Sequence, residues 1–281
     1  MIIDSHCHAG VGDIMTDPWN TSAPIEPYLR RARAAGIDKT VIFALFDRDY
    51  AKVNLQVARI VARYPKRLFG FAFVHCARDA GRIFGMVERA VTRWGFRGIK
   101  VHGHDAMPTR EVCETARAFR LPLLVDVAGQ AHLVEMFAPQ YPDVNFIIPH
   151  FGSFGDEWRA QQQVVDQLVR YPNVFADTSG VRRFDYIVQA VSRAGPHKVL
   201  FGSDGPWLHP GVELHKIRLL GLSPEREALI LGGNAMRLMR QALVGPSAGR
   251  VWTQLRRQTP RPEGICNPTQ PFSRETIEHE L

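Results

Sequence analysis

The 281-residue chain is 45% hydrophobic and 22% charged, enough to bury a large core, and it holds no apolar run long enough to span a bilayer. Its formal net charge of +7 suits an anionic partner, but the arginines are spread over amphipathic segments such as residues 28–36, which argues for a small anionic substrate and against nucleic acid. Cys7, Cys76, Cys113 and Cys266 form no CxxC pair, which excludes a disulfide frame or a cysteine–zinc site, and no basic leader with a cleavage site opens the chain, so a cytoplasmic protein is expected.

In chain order, strand-like apolar runs fall at residues 2–8, 40–45, 68–75, 97–102, 121–128, 144–152, 174–179 and 199–204. Their near-continuous Val, Ile, Leu and Phe content suits parallel strands buried on both faces. Helical periodicity marks the segments between them, among them residues 53–64, 82–94, 110–119 and 183–195. In the first of these Val53, Val57, Ile60, Val61 and Tyr64 share one stripe. Gly36, Gly95 and Gly195 follow helical segments, where a terminating glycine is expected. Eight strands alternating with helices predict an α/β fold, a single (β/α)8 TIM barrel over residues 1–244. A doubly wound open sheet is the alternative, but no Gly-rich turn follows the first strand. Residues 9–24 form a long early loop, with Pro18 and Trp19, able to cover the barrel mouth. Residues 245–281 hold Pro246, Pro260, Pro262, Pro268 and Pro271 and predict an extended or partly disordered tail.

Polar residues fall at the C-terminal ends of the runs: His6 and His8, His75, Lys100 and His102, Asp126, His150, Asp177 and Asp204. Active sites of barrels form at that face. His6 and His8 lie two apart, so a strand places both on one face, where they can converge on a metal. A pair of surface histidines near a terminus is the other reading of that spacing. His6, His8, His150 and Asp204 suit zinc, or manganese if more oxygen ligands join. One divalent ion with an open position would acidify water, with Asp204 as general base and His150 as ligand or polarising group. His102 and Trp207 are candidate substrate contacts, as is Asp177, which otherwise bonds loop amides.

These residues resemble the amidohydrolase superfamily, in its amidohydrolase-related (family 2) branch. The resemblance rests on residues 4–8 (DSHCH), 95–102 (GFRGIKVH), 149–153 (PHFGS), 199–207 (VLFGSDGPW) and 232–239 (GGNAMRLM). It implies that His6, His8 and Asp204 are metal ligands, that His150 takes a sixth-strand assisting role, and that Asp204 shuttles protons. It also implies a homo-oligomer. The family's fifth-strand histidine is replaced by Asp126. Three readings follow: Asp126 ligates the metal, Asp126 pairs with Lys100, or a carboxylated Lys100 bridges two metals. The expected activity is hydrolysis of an amide, ester or lactone of a small molecule. A decarboxylase, with Arg182 or Arg183 binding a carboxylate, and a non-catalytic binding barrel are the alternatives.

Overall fold

The computed structural model describes residues 1–13, 21–240 and 242. Pro18, Trp19, Cys266 and the expected tail 245–281 lie outside the described residues. Eight parallel strands follow one another around a barrel: β1 Ile3–His8, β2 Lys39–Phe43, β3 Leu68–Gly70 resuming at Ala72–Phe73, β4 Ile99–His102, β5 Leu123–Asp126, β6 Phe146–Ile148, β7 Val174–Asp177 and β8 Val199–Leu200. Each pairs with the next in parallel register. The ring closes where the Ser5 amide donates to Phe201 O at 2.9 Å, Asp204 N to His6 O at 2.8 Å and His8 N to Gly205 O at 2.7 Å. No described helix is long and apolar enough to cross a membrane.

Helices cover the outside: α1 Ile25–Ala34, α2 Tyr50–Arg63, α3 Ile83–Trp94, α4 Arg110–Phe119, α5 Val134–Phe137, α6 Trp158–Arg170, α7 Phe184–Arg193, α8 Pro210–Arg218, α9 Pro224–Ala228 and α10 Asn234–Arg240. Their stripes decide the packing. On α2, Val53, Asn54 and Val57 are buried, and the Asp49 carboxylate caps the first turn through Lys52 N. Asn54 then bonds both Phe73 N and Phe73 O, at 2.9 and 2.8 Å, and fixes α2 against β3. The α3 helix ends on Gly95 at φ 68°, the left-handed position that glycine fills without strain.

The barrel interior is a second apolar cluster of Ile3, Val41, Phe43, Phe71, Leu124, Ile147, Phe175 and Leu200, plugged from below by Ala235, Leu238 and Met239 of α10. The Gly-Gly-Asn stretch seats that plug. A Cβ on Gly232 would stand 2.6 Å from Met1 O, so the chain crosses the start of β1 only as glycine. Asn234 Nδ2 donates to Pro196 O at 2.8 Å and Val199 O at 2.7 Å, which anchors α10 beneath β8.

The observed strands are shorter than the apolar runs. β6 stops at Ile148 because Pro149 has no N–H for a ladder. His150, Phe151 and Gly152 then all take positive φ, at 56°, 51° and 89°. The early loop begins and ends as a small antiparallel pair, Gly10–Val11 against Ser22–Ala23.

Candidate metal centre and active site

The apolar plug ends one layer below the strand tips. Two residues beyond Leu124, Phe175 and Leu200 stand Asp126, Asp177 and Gly202, on the same inward face because strand side chains alternate. In β4 the inward positions are Lys100 and His102. In β1 the phase changes. Asp4 pairs with Thr40 but Cys7 with Ile42, so three steps along β1 match two along β2. This bulge lets Ile3 face the plug while His6 and His8 both face the mouth.

His6 Nε2 and His8 Nε2 lie 3.4 and 3.6 Å from Asp204 Oδ1. Ligand atoms of the three residues all fall within 4.8 Å of one another, and all three residues are buried. The far nitrogens are occupied. His6 Nδ1 donates to Asp177 Oδ2 at 2.8 Å and His8 Nδ1 to Ala44 O at 3.0 Å. In a neutral ring that leaves the lone pair on Nε2, aimed at Asp204, the arrangement of a metal-ligating histidine. His6 Nε2 is buried with no hydrogen-bond partner. Burial lowers the pKa of both rings, only partly opposed at His6 by Asp177, so the neutral form is favoured.

Asp177 organises this side of the site. Its Oδ1 accepts from Ser179 N at 3.0 Å, from His150 N at 3.3 Å and from the Ser179 hydroxyl. Burial alone would raise its pKa, but His6, His150 and Ser179 hold it down to about 2. Gly202 makes room for the pair, since a Cβ there would lie 3.0 Å from His6 Cβ and 3.2 Å from Asp177 Oδ1. Asp4 stands behind β1. Its carboxyl accepts from Ser203 N, His6 N and the hydroxyls of Ser203 and Tyr28, tying β1 to α1 and to the segment after β8. Burial pushes it up to about 7 against these bonds.

Two site residues sit in left-handed backbone, His150 at φ 56° and Asp204 at φ 56°. For residues with a Cβ that conformation costs on the order of 1 kcal/mol or more, and such strain gathers at functional sites. At His150 it turns the ring back into the mouth. His150 Nδ1 donates to Ser179 O at 2.7 Å, and the ring lies 4.8 Å from that of His6.

The opposite wall is built from β4 and β5. Asp126 Oδ2 lies 3.1 Å from His102 Nε2 and 3.6 Å from His150 Nε2, while Oδ1 accepts from Ala128 N at 2.8 Å. Burial opposes ionisation, yet His102, His150 and Lys100 hold its pKa well below the usual carboxylate range. Of the three readings of Asp126, the pairing with Lys100 is not found: the two form no ion pair, and His102 stands beside the carboxylate instead. Lys100 Nζ is buried without a hydrogen-bond partner and lies 5.1 Å above the Phe43 ring. Asp126 and His150 border the His6–His8–Asp204 group but fall outside it.

A cavity of about 450 Å³ opens above these groups, a size suited to small molecules. His6, His8, Lys100, His102, Asp126, His150, Asp204 and Trp207 all line it, and Asp177 lies beneath. The Trp207 ring is 4.7 Å from His8, and Phe46 is edge-on to His102 at 4.7 Å. Arg182 and Arg183 are not at the cavity wall. They pair on the surface with Asp156 at 2.6 Å and Asp185 at 2.8 Å. His75 accepts from Ala77 N and Arg78 N in a turn and does not line the cavity.

Sequence reasoning missed Ser179, Phe46, Phe154 and Glu157. Ser179 was visible as a polar residue two beyond Asp177. The other three come from loops, where no periodicity marks them.

Solved structures share the fold. The 5-carboxyvanillate decarboxylase of Sphingomonas paucimobilis superposes with a TM-score of 0.68 at 17% identity, over 85% of this chain and 98% of that one. A probable 2-pyrone-4,6-dicarboxylic acid hydrolase of Acinetobacter baumannii, with citric acid bound, gives 0.67 at 17% identity, over 85% and 99%. A dihydroxybenzoic acid decarboxylase of a Polaromonas species, with bound manganese and the inhibitor 2-nitroresorcinol, gives 0.62 at 17% identity, over 85% and 96%. No curated protein is significantly similar in sequence. A family model described as amidohydrolase matches residues 3–241, and the chain belongs to that family.

Proposed function

We propose that the protein is a metal-dependent hydrolase of an amide, ester or lactone in a small anionic molecule. The observation that carries this is the paired Nε2 lone pairs of His6 and His8 facing Asp204 at the cavity floor, with both Nδ1 atoms already engaged. The group fits a divalent ion: two neutral imidazoles and a carboxylate, with His6 Nε2 otherwise unsatisfied. Zinc suits this donor set, and manganese suits it if oxygen donors are added. Asp126 and His150, which border the group, are the further candidate ligands. Bound there, the ion would supply Lewis acidity toward a carbonyl or a water.

The protein's own groups divide the remaining work. Asp204 takes the proton of the attacking water and returns it to the leaving group. His150, whose Nδ1 donates to Ser179 O, presents its Nε2 lone pair to accept from and orient the attacking water. Asp177 holds His6 in one tautomer, Asp126 holds His102, and Trp207 walls the cavity beside His8. Decarboxylation is the second reading, favoured by aromatic walls around the buried amine of Lys100.

The test couples metal content to product analysis. Elemental mass spectrometry should find about one zinc or manganese per chain. A panel of lactones, amides and carboxylated aromatics is then turned over in ¹⁸O-labelled water. Label in the product supports hydrolysis, and carbon dioxide release supports the second reading. Turnover that survives chelation and the His6→Ala substitution would overturn both.

A further inference from the structure

The cavity wall carries several nitrogen donors, and nearly all are committed. The Nδ1 atoms of His6, His8 and His150 bond Asp177, Ala44 O and Ser179 O. His102 accepts from His104 N at Nδ1, so its neutral ring carries the proton at Nε2 and gives it to Asp126. His104 stacks on His102 at the exposed mouth. Arginine is absent from the described lining. Lys100 differs from all of these. Its side chain is fully buried, it lines the cavity, and Nζ meets no hydrogen-bond acceptor. An ammonium held this way is costly unless an oxygen anion completes it.

We propose that Lys100 Nζ is the docking point for a carboxylate on a planar substrate, which sets the substrate class of the cavity. The inference rests on reading this cavity as the substrate site. Phe46 and Trp207 supply flat apolar faces beside His102 and His8, suited to a ring or a conjugated chain. Asp126, Asp204 and Glu157 also line the cavity, but none of them reaches Nζ with a hydrogen bond, and no other lysine or arginine stands in the described lining to compete for an anion. The carboxylate is thereby directed to Lys100, and the bond to be broken is directed toward Asp204.

Benzoate and benzamide test this, because they share a shape and differ in charge. Calorimetric titration is run on the protein as purified and after dialysis against a chelator, which removes any competing metal cation. Benzoate should bind about tenfold or more tightly than benzamide in both forms. Lys100→Met should bring the ratio close to one while the melting temperature holds or rises, since an unpaired buried cation has been removed. Lys100→Gln serves if the first variant fails to fold. An unchanged ratio in a folded variant overturns the proposal, as does the absence of a benzoate preference in the chelated protein. A Lys100-dependent preference in a chain that takes up no metal upholds the subsite and rejects the metal reading. Zinc uptake with a Lys100-independent ratio does the reverse.

Discussion

Asp177→Asn tests how the β7 carboxylate controls His6. Three donors converge on Oδ1: Ser179 N at 3.0 Å, His150 N at 3.3 Å and the Ser179 hydroxyl. An asparagine must keep its oxygen there, so its amide nitrogen turns toward His6 Nδ1, now 2.8 Å from Oδ2. Two donors then face each other, and His6 escapes by moving its proton to Nε2. That nitrogen can no longer ligate a metal, so zinc affinity should fall by about 10- to 100-fold. Stability should fall too. The Asp177 carboxyl is held at about 2 against an ordinary value of 3.8, worth about 2 kcal/mol at neutral pH. Because the folded pKa is depressed, this contribution is complete above about pH 4 and disappears as pH falls through about 2. Competition with a chromophoric chelator reads the affinity, and urea unfolding across the acid range reads the stability. Equal zinc affinity in the variant, or a stability gap that persists below about pH 2, would refute the reasoning.

Gly202→Ala places a Cβ 3.0 Å from His6 Cβ, and thermal unfolding should report a loss of about 1–3 kcal/mol; an unchanged melting temperature would contradict the packing described. Asn234→Ala strips the donors from Pro196 O and Val199 O, and urea denaturation should show a loss of about 2 kcal/mol, whereas a neutral result would mean that the α10 plug is held by its apolar face alone. Burial pushes the Cys76 and Cys113 thiols up to about 12 and raises Cys7 well above the ordinary value, so peptide mapping after iodoacetamide should find all three unmodified until urea is added. Arg182 is exposed and paired with Asp156, so Arg182→Ala should leave turnover within about twofold; a much larger loss would place this arginine at the substrate.

The barrel was legible because its signals are local. Apolar runs bury both faces of a strand, amphipathic stripes bury one face of a helix, and both can be read within a short window, as in β5 and α2. The positions of His6, His8, Asp126 and Asp204 at strand ends were legible for the same reason. Yet the i, i+2 spacing of His6 and His8 shows only that they share a face. Which face was decided by the bulge between Asp4 and Cys7, a matter of pairing with β2. The partner of Asp126 was not legible either. Lys100 and His102 share the inward face of β4, and only the register of β4 on β5, with His102 opposite Asp126, chose between them. His150 stands beyond the end of β6, and left-handed backbone turns it inward.

The sequence by itself determined the alternation of strands and helices, the inventory of polar groups at one end, and the family. Tertiary structure alone decided which nitrogen of each histidine is free and that the Lys100 amine is buried without a hydrogen-bond partner. The bond from His6 to Asp177 spans 171 residues and that from His8 to Ala44 spans 36. A lone pair is aimed by what occupies the opposite side of its ring, and that neighbour is brought there by closing the barrel.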